Sequence, residues 1–202
     1  IHIWLRMINK QYKFIYVGVP KTGTTSIESY IKTKYKIIPH CHKKHTPIYF
    51  HDEKYFDCFK FGFVRNPWDW VISWYFYATD EFERPVRDHM SLKTWLYKDN
   101  NCNEAWIPET VRCCYQPLVP QYKFLCDAQG DLVMDFVGRF ESLQHDFDRV
   151  CEKIGIPKFK LDFKNRTQRS ISYEDYYDSE TRDLVSNLFE KDIDLFKYSF
   201  GD

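Results

Sequence analysis

Short apolar runs alternate along the chain with segments whose apolar residues recur every three or four positions. Residues 14–17 and 59–64 are mainly apolar runs of strand length, which is typical of strands buried in a sheet. Residues 67–76 instead carry a helical stripe that we expect to pack on the sheet, made of Trp68, Val71, Ile72, Tyr75 and Phe76. Alternation of this kind predicts a largely parallel sheet with helices on its faces.

The same alternation continues to the end of the sequence. Further strands are predicted near 36–38 and over 132–137. Further helices are predicted at 26–31, 91–97, 143–154, 179–190 and 191–197, the third of them closed by Gly155 and Pro157. The expected fold is therefore α/β: a single domain over residues 1–202 with a mainly parallel central sheet flanked by helices.

Composition and charge exclude some classes of partner. The 202 residues carry no net charge at pH 7, so we expect no nucleic acid as a partner. No apolar run approaches the roughly 20 residues of a membrane-spanning helix, so no membrane span is expected in this chain. Seven cysteines at irregular spacing favour mostly reduced thiols.

Residues 18–25, GVPKTGTT, have the glycine spacing and the terminal hydroxyl of a phosphate-binding P-loop. The lysine that a nucleoside triphosphatase places after the second glycine is absent, because Thr24 occupies that position and Lys21 lies three residues earlier. A strand before the loop and a helix after it aim backbone amides and the helix dipole at one point. This pattern indicates a nucleotide whose chemistry is not phosphoryl transfer.

Arg65 is the second candidate for anion binding, since it follows a predicted strand and precedes a predicted helix. Asn66 and Pro67 suit the N-cap and first position of that helix, and Ser73 lies on it about two turns from Arg65. A guanidinium and a hydroxyl at these places suit a second phosphate. The alternative is an arginine paired with an acidic neighbour beside a solvent-facing serine, and the P-loop upstream favours the phosphate.

These two motifs carry a family resemblance. Residues 19–26, VPKTGTTS, resemble the 5′-phosphosulfate loop of sulfotransferases that use 3′-phosphoadenosine 5′-phosphosulfate (PAPS), and residues 63–69, FVRNPWD, with Ser73 resemble the same family's 3′-phosphate motif. Residues 135–143 and 192–200 resemble the Golgi carbohydrate sulfotransferase branch and its bacterial relatives. Trp70 departs from the pattern, since many relatives have arginine there, and a surface or substrate contact is expected to differ.

The resemblance implies a P-loop-like sulfotransferase fold and a role for each matched residue. Lys21 would neutralise the bridging oxygen as the sulfuryl group leaves, and Arg65 with Ser73 would hold the 3′-phosphate. The residues implied to hold the 5′-phosphate, through backbone amides and the hydroxyls of Thr24 and Thr25, are Thr22, Gly23, Thr24, Thr25 and Ser26. Arg166 or Arg169 would contact the nucleotide from a closing loop, the alternative being a plain surface loop. PAPS is then the co-substrate, PAP the product, and no metal is required.

The acceptor hydroxyl needs a base, and His45 is the candidate. It follows Lys44 and stands twenty residues before Arg65, as a histidine does in related carbohydrate sulfotransferases. The alternatives are His42 and His51, followed by the glutamates that other branches use, here Glu28 and Glu53. A zinc site built from His40, Cys41, His42 and His45 is too crowded for ordinary structural spacing.

The identity of the acceptor stays open in the sequence. The branch favours a carbohydrate hydroxyl, with a small alcohol, a phenol or a peptide tyrosine as alternatives. A basic run either attracts an anionic glycan or is ordinary solvated surface, and it consists of Lys32, Lys34, Lys36, Lys43 and Lys44. Aromatic residues that fall outside the helical stripe are candidates for stacking on an acceptor: Trp74, Tyr77, Trp95 and Trp106.

Two other functions share the loop. A P-loop kinase of nucleotides or small molecules would need lysine at position 24 and a strand ending in a magnesium-binding aspartate. A non-catalytic nucleotide-binding protein would keep the loop and need no base. The compartment expected is cytoplasmic if the sequence is complete, and the Golgi lumen if an N-terminal anchor preceded Ile1.

Overall fold

The computed structural model of the protein describes residues 8–35, 47–50, 57–80, 91–99, 118–162 and 171–202. Four strands form one sheet in the order β1-β2-β3-β4, and they are β1 (Ile8–Asn9), β2 (Phe14–Val17), β3 (Phe59–Val64) and β4 (Phe136–Arg139). β2 and β3 pair in parallel, as do β3 and β4, whereas β1 is antiparallel to β2. The predicted α/β fold with a mainly parallel sheet is confirmed.

The helices of the described residues are α1 (Thr24–Tyr35), α2 (Pro67–Asp80), α3 (Leu92–Asp99), α4 (Tyr122–Leu125), α5 (Leu143–Ile154), α6 (Ser179–Leu188) and α7 (Glu190–Phe196). Each helix predicted from the sequence is present. The Asn66 side chain accepts a hydrogen bond from the backbone N–H of Trp68 at 3.1 Å, so its predicted capping role is confirmed. Gly155 ends α5 with a φ of 71°, as a left-handed C-terminal glycine does.

The strand predicted over 132–137 is wrong for its first four residues, 132–135. β4 begins only at Phe136, and Leu132 makes an isolated bridge to Cys126. The preceding turn explains this, because the Asp127 carboxylate accepts hydrogen bonds from the backbone of Gln129 and Asp131 and so folds the chain back there. The strand predicted near 36–38 lies outside the described residues.

The chain divides into two compact units. The sheet unit comprises residues 1–65 and 121–165, and the helical unit comprises residues 66–120 and 166–202. The single domain over residues 1–202 stays a prediction.

One face of the sheet is covered by α1 and α5 in the sheet unit. Phe14, Tyr16, Phe61 and Phe63 alternate along β2 and β3 and are at most 1% exposed. They share a core with helix residues, which include Ile27, Ile31, Phe147 and Val150. Because β2 is held within the sheet and α1 packs on one face of the same sheet, the loop that joins them is held in place at both ends.

Aromatic residues form the core of the helical unit. Trp70, Trp74 and Trp95 are 0, 5 and 4% exposed, and they pack with residues of α3 and α6 and with Phe189. Trp74 and Trp95 are therefore core residues and not platforms for an acceptor. Trp70, which departs from the family pattern, is buried in the same core. α2 is apolar on almost every side, so a stripe of five residues underestimates its buried surface.

The predicted stripe on α2 shares this helical core. Its members cluster with Leu92, Leu96, Val185 and other residues of the helical unit, whereas we expected them to pack on the sheet. Tyr77 is partly buried against the same cluster. Trp106 lies outside the described residues.

Candidate functional site

The P-loop connects the end of β2 to the start of α1. Lys21 and Gly23 both adopt left-handed backbone conformations, with φ values of 61° and 79°. The hydroxyls of Thr22 and Thr24 donate to the Val19 carbonyl at 2.9 and 2.7 Å and fold the loop onto itself. Because the hydroxyl proton of Thr24 is used inside the loop, an anion would meet its backbone amide, in the first turn of α1 where amides lack intrahelical acceptors.

Gly23 allows α5 to pack against this loop. A Cβ built on Gly23 would lie 2.5 Å from Cδ2 of Leu143, which is the first residue of α5 and is only 2% exposed. Any other residue would also be strained at this φ. The glycine therefore serves both the turn and the close approach of a second helix.

Arg65 lies beside the P-loop, although the two motifs are far apart in the sequence. Arg65 is buried, with only 5% of its surface exposed. Its Nη1 donates a hydrogen bond to the backbone carbonyl of Lys21 at 3.2 Å. The guanidinium carbon lies 4.2 Å from the centre of the Phe140 ring. Arg65, predicted to bind an anion, and Lys21, predicted to be catalytic, are therefore neighbours in space.

Gln121 holds the backbone of Arg65 from the other side, and no sequence motif predicts this contact. Its Oε1 accepts from the Arg65 backbone N–H at 2.9 Å, and its Nε2 donates to the Arg65 carbonyl at 2.8 Å. The residue is fully buried. It lies in an irregular segment between Pro120 and a four-residue helix, where no periodicity or motif marks it.

The sequence of the chain also matches a protein-family model. The model, described as the sulfotransferase family, matches residues 5–199. The chain belongs to the sulfotransferase family. This sulfotransferase is also 30% identical over 116 residues to an uncharacterised protein of Archaeoglobus fulgidus, an alignment that covers 56% of this chain and 80% of that protein. No solved structure matches it. Family membership supports an enzyme of sulfuryl transfer and disfavours the kinase.

The sulfotransferase has a second buried polar cluster where β4 leads into α5. The Asp146 carboxylate accepts from the Arg139 backbone N–H at 2.9 Å and from Ser142 Oγ at 2.8 Å. Burial opposes ionisation of Asp146, but the hydrogen bonds from Arg139, Ser142, His145 and Arg149 together lower its pKa. Since α5 begins here and its first residue contacts Gly23, Asp146 fixes the helix that supports the P-loop.

Asp146→Ala is expected to lower the free energy of unfolding by about 2 kcal/mol at pH 7, because a buried backbone N–H and a hydroxyl lose a charged acceptor. The pKa of Asp146 is lower in the folded state, so this contribution is present above the ordinary value of about 3.9 and is lost as pH falls toward the folded-state value. Urea unfolding of the wild-type protein and of Asp146→Ala across pH 3–7 measures the difference in their free energies of unfolding. Asp131→Ala, which removes an exposed carboxylate of the sheet unit, is the control. A constant difference across this pH range would contradict the prediction.

The remaining candidates divide into two groups. Ser73 is on α2 in the helical unit and is 3% exposed. Glu28, an alternative candidate for the base, is buried and forms an ion pair with Lys32 at 2.6 Å. Lys32 belongs to the basic run described above. The other candidates lie outside the described residues or side chains: His40, Cys41, His42, His45, His51, Glu53, Arg166, Arg169, Lys34, Lys36, Lys43 and Lys44.

The described ranges contain no group of three or more His, Cys, Asp or Glu residues that could hold a metal ion. In that part of the sulfotransferase, no helix is both long and apolar enough to cross a membrane.

Proposed function

We propose that this sulfotransferase moves the sulfuryl group of PAPS to a hydroxyl of an acceptor, with a carbohydrate hydroxyl as the favoured one. The observation that carries the proposal is the hydrogen bond from Arg65 to the Lys21 carbonyl. It joins a helix N-terminus, a lysine and a buried guanidinium in one unit, and these donors suit a nucleotide with phosphates at two positions.

The P-loop is the proposed site for the 5′ end of the nucleotide. Backbone amides from Thr22 to Thr25 hold the phosphate, and Lys21 supplies a positive charge at the oxygen that joins phosphorus to sulfur. Ser26 lies next to them, and its own amide donates to the Gly23 carbonyl at 3.0 Å. The left-handed φ values of Lys21 and Gly23 support this, since such turns direct successive amides toward one anion. Lys21 and the amides provide the charge needed, so the proposal requires no metal.

Arg65 is the proposed contact of the 3′-phosphate. Its planar guanidinium matches the oxygens of a phosphate and accounts for a preference over nucleotides without that group. The family motif adds Ser73, eight residues further along the chain. Arg166 and Arg169 are proposed only from their place in the sequence, as residues of a loop that closes over the nucleotide.

The proposed reaction is an in-line displacement. The acceptor oxygen forms a bond to sulfur, the bond from sulfur to the 5′-phosphate oxygen breaks, and PAP leaves. The acceptor's proton passes to a base, for which His45 is proposed, with His42 and His51 next. Glu28 is the weaker alternative because it is buried and paired with Lys32.

The branch resemblance supports a carbohydrate as acceptor. It rests on residues 135–143 and 192–200, of which the first set includes Arg139 and Ser142 at the start of α5. A small alcohol, a phenol and a peptide tyrosine are the other acceptor classes that the test distinguishes.

Radiolabelled PAPS incubated with the protein and a panel of glycans, alcohols, phenols and tyrosine peptides tests this function. We expect label to pass to a glycan, and we expect His45→Ala to abolish transfer while PAP binding by calorimetry persists. His42→Ala and His51→Ala measured beside it identify the base. Absence of both PAP binding and label transfer would overturn the proposal. Binding without transfer to any acceptor would favour the non-catalytic nucleotide-binding alternative.

A further inference from the structure

The backbone of Arg65 continues beyond the last residue of β3, and within the described ranges no strand pairs with it there. The last pair of β3 with β4 joins Val64 to Arg139, and Arg65 is the next residue. Its N–H and C=O are held in a protein interior, where unpaired backbone groups are costly. The two amide atoms of Gln121 bond both groups and thus do what a neighbouring strand would do.

Only a side-chain amide suits this task. Gln121 donates with one atom and accepts with the other at nearly equal distances, 2.8 and 2.9 Å, and no part of the residue is exposed. Methionine has the same length but cannot replace either hydrogen bond, and an ionised glutamate could keep only the bond from the Arg65 N–H. The requirement for this residue type is therefore chemical as well as steric.

We infer that Gln121 is a positioning residue for donor recognition: by fixing the backbone of Arg65, it aims the guanidinium that selects nucleotides with a 3′-phosphate. The inference rests on the proposed function, because Arg65 is the 3′-phosphate contact only if PAPS is the donor. The path is continuous, since Gln121 bonds the Arg65 backbone and the Arg65 side chain reaches the Lys21 carbonyl. Gln121 itself is not proposed to touch the nucleotide.

Gln144 provides a matched control in the same unit. Its Oε1 accepts from the Leu161 backbone N–H at 2.8 Å, and its Nε2 donates to the Phe159 carbonyl at 2.9 Å. It is therefore a second glutamine that holds backbone with both amide atoms, at a place where no nucleotide contact is proposed. Gln144→Met removes the same two kinds of backbone hydrogen bond as Gln121→Met, together with one from Nε2 to the Asp148 carboxylate at 2.8 Å.

The experiment measures calorimetric affinities for PAP and for adenosine 5′-monophosphate, which lacks the 3′-phosphate. We expect Gln121→Met to weaken PAP binding about ten-fold and to change binding of the monophosphate less than about three-fold, because the guanidinium loses its position. Gln121→Glu, which keeps one hydrogen bond, should give a smaller loss and provides a folded variant if Gln121→Met does not fold. Gln144→Met should keep the wild-type preference for PAP.

A merely structural role would lower the melting temperature or the affinities for both ligands without changing their ratio. An unchanged ratio in the Gln121 variants, with wild type preferring PAP, would overturn the inference and leave the proposed function standing. A wild-type protein that binds neither ligand, or binds both alike, would overturn the two together. The KM for PAPS, compared with kcat, gives a second readout, since mispositioned recognition should mainly raise KM.

Discussion

Replacing Lys21 with methionine is expected to lower kcat for sulfuryl transfer by about 10² to 10³, the effect of removing one donor aimed at a developing charge. The reason is that the oxygen between phosphorus and sulfur gains negative charge as its bond to sulfur breaks, and the proposal gives this lysine the task of neutralising it. Affinity for PAP should fall much less, because the backbone amides of the loop remain. Single-turnover rates with labelled PAPS and PAP affinity by calorimetry measure both quantities.

Lys13→Met is the matched control for that experiment. Lys13 also has a left-handed backbone, with a φ of 48° against 61° for Lys21, and its side chain is exposed in the turn before β2. The two substitutions remove the same charge from similar backbone, so conformational effects of methionine at positive φ are shared. Equal losses in both variants, or full activity in Lys21→Met, would refute the catalytic role of Lys21.

Replacing Arg65 with methionine is expected to weaken PAP binding about 100-fold, since hydrogen bonds to a charged phosphate are worth about 1.5–3 kcal/mol each. Affinity for adenosine 5′-monophosphate should fall only a few-fold, because that nucleotide lacks the phosphate that Arg65 is proposed to bind. Arg65→Lys keeps the charge but loses the planar fork, so an intermediate loss is expected. Calorimetry with the two nucleotides separates recognition of the 3′-phosphate from general affinity.

Arg149→Met controls for the loss of a contact between arginine and an aromatic ring, here at an exposed arginine. Its guanidinium carbon lies 4.9 Å from the centre of the Phe136 ring, as that of Arg65 lies 4.2 Å from the Phe140 ring, and both belong to the sheet unit. We expect Arg149→Met to bind PAP like wild type. Parallel losses of affinity for both nucleotides in Arg65→Met would indicate that Arg65 supports the loop and does not recognise the 3′-phosphate.

Local signals predicted the main elements of the fold because their causes are neighbours in the sequence. The runs 14–17 and 59–64 became β2 and β3 at the predicted residues. Asn66 caps α2 through the amide two residues away, and Gly155 ends α5 through its own φ. Helical periodicity did not predict the burial of Trp74 on α2. A helix that is buried on most of its sides has no polar face to contrast with its apolar face, so its periodic pattern is weak.

The sequence by itself determined the glycine-containing loop between β2 and α1, the arginine at the end of β3 and membership of the sulfotransferase family, since each depends on residue types along the chain. Only the tertiary structure decided that Arg65 reaches the Lys21 carbonyl and that Gln121 holds Arg65, over separations of 44 and 56 residues. It also decided that Leu143 meets Gly23. The physical reason is that a buried hydrogen bond or close contact needs a partner in space, and the sheet chooses that partner by bringing distant strand ends together.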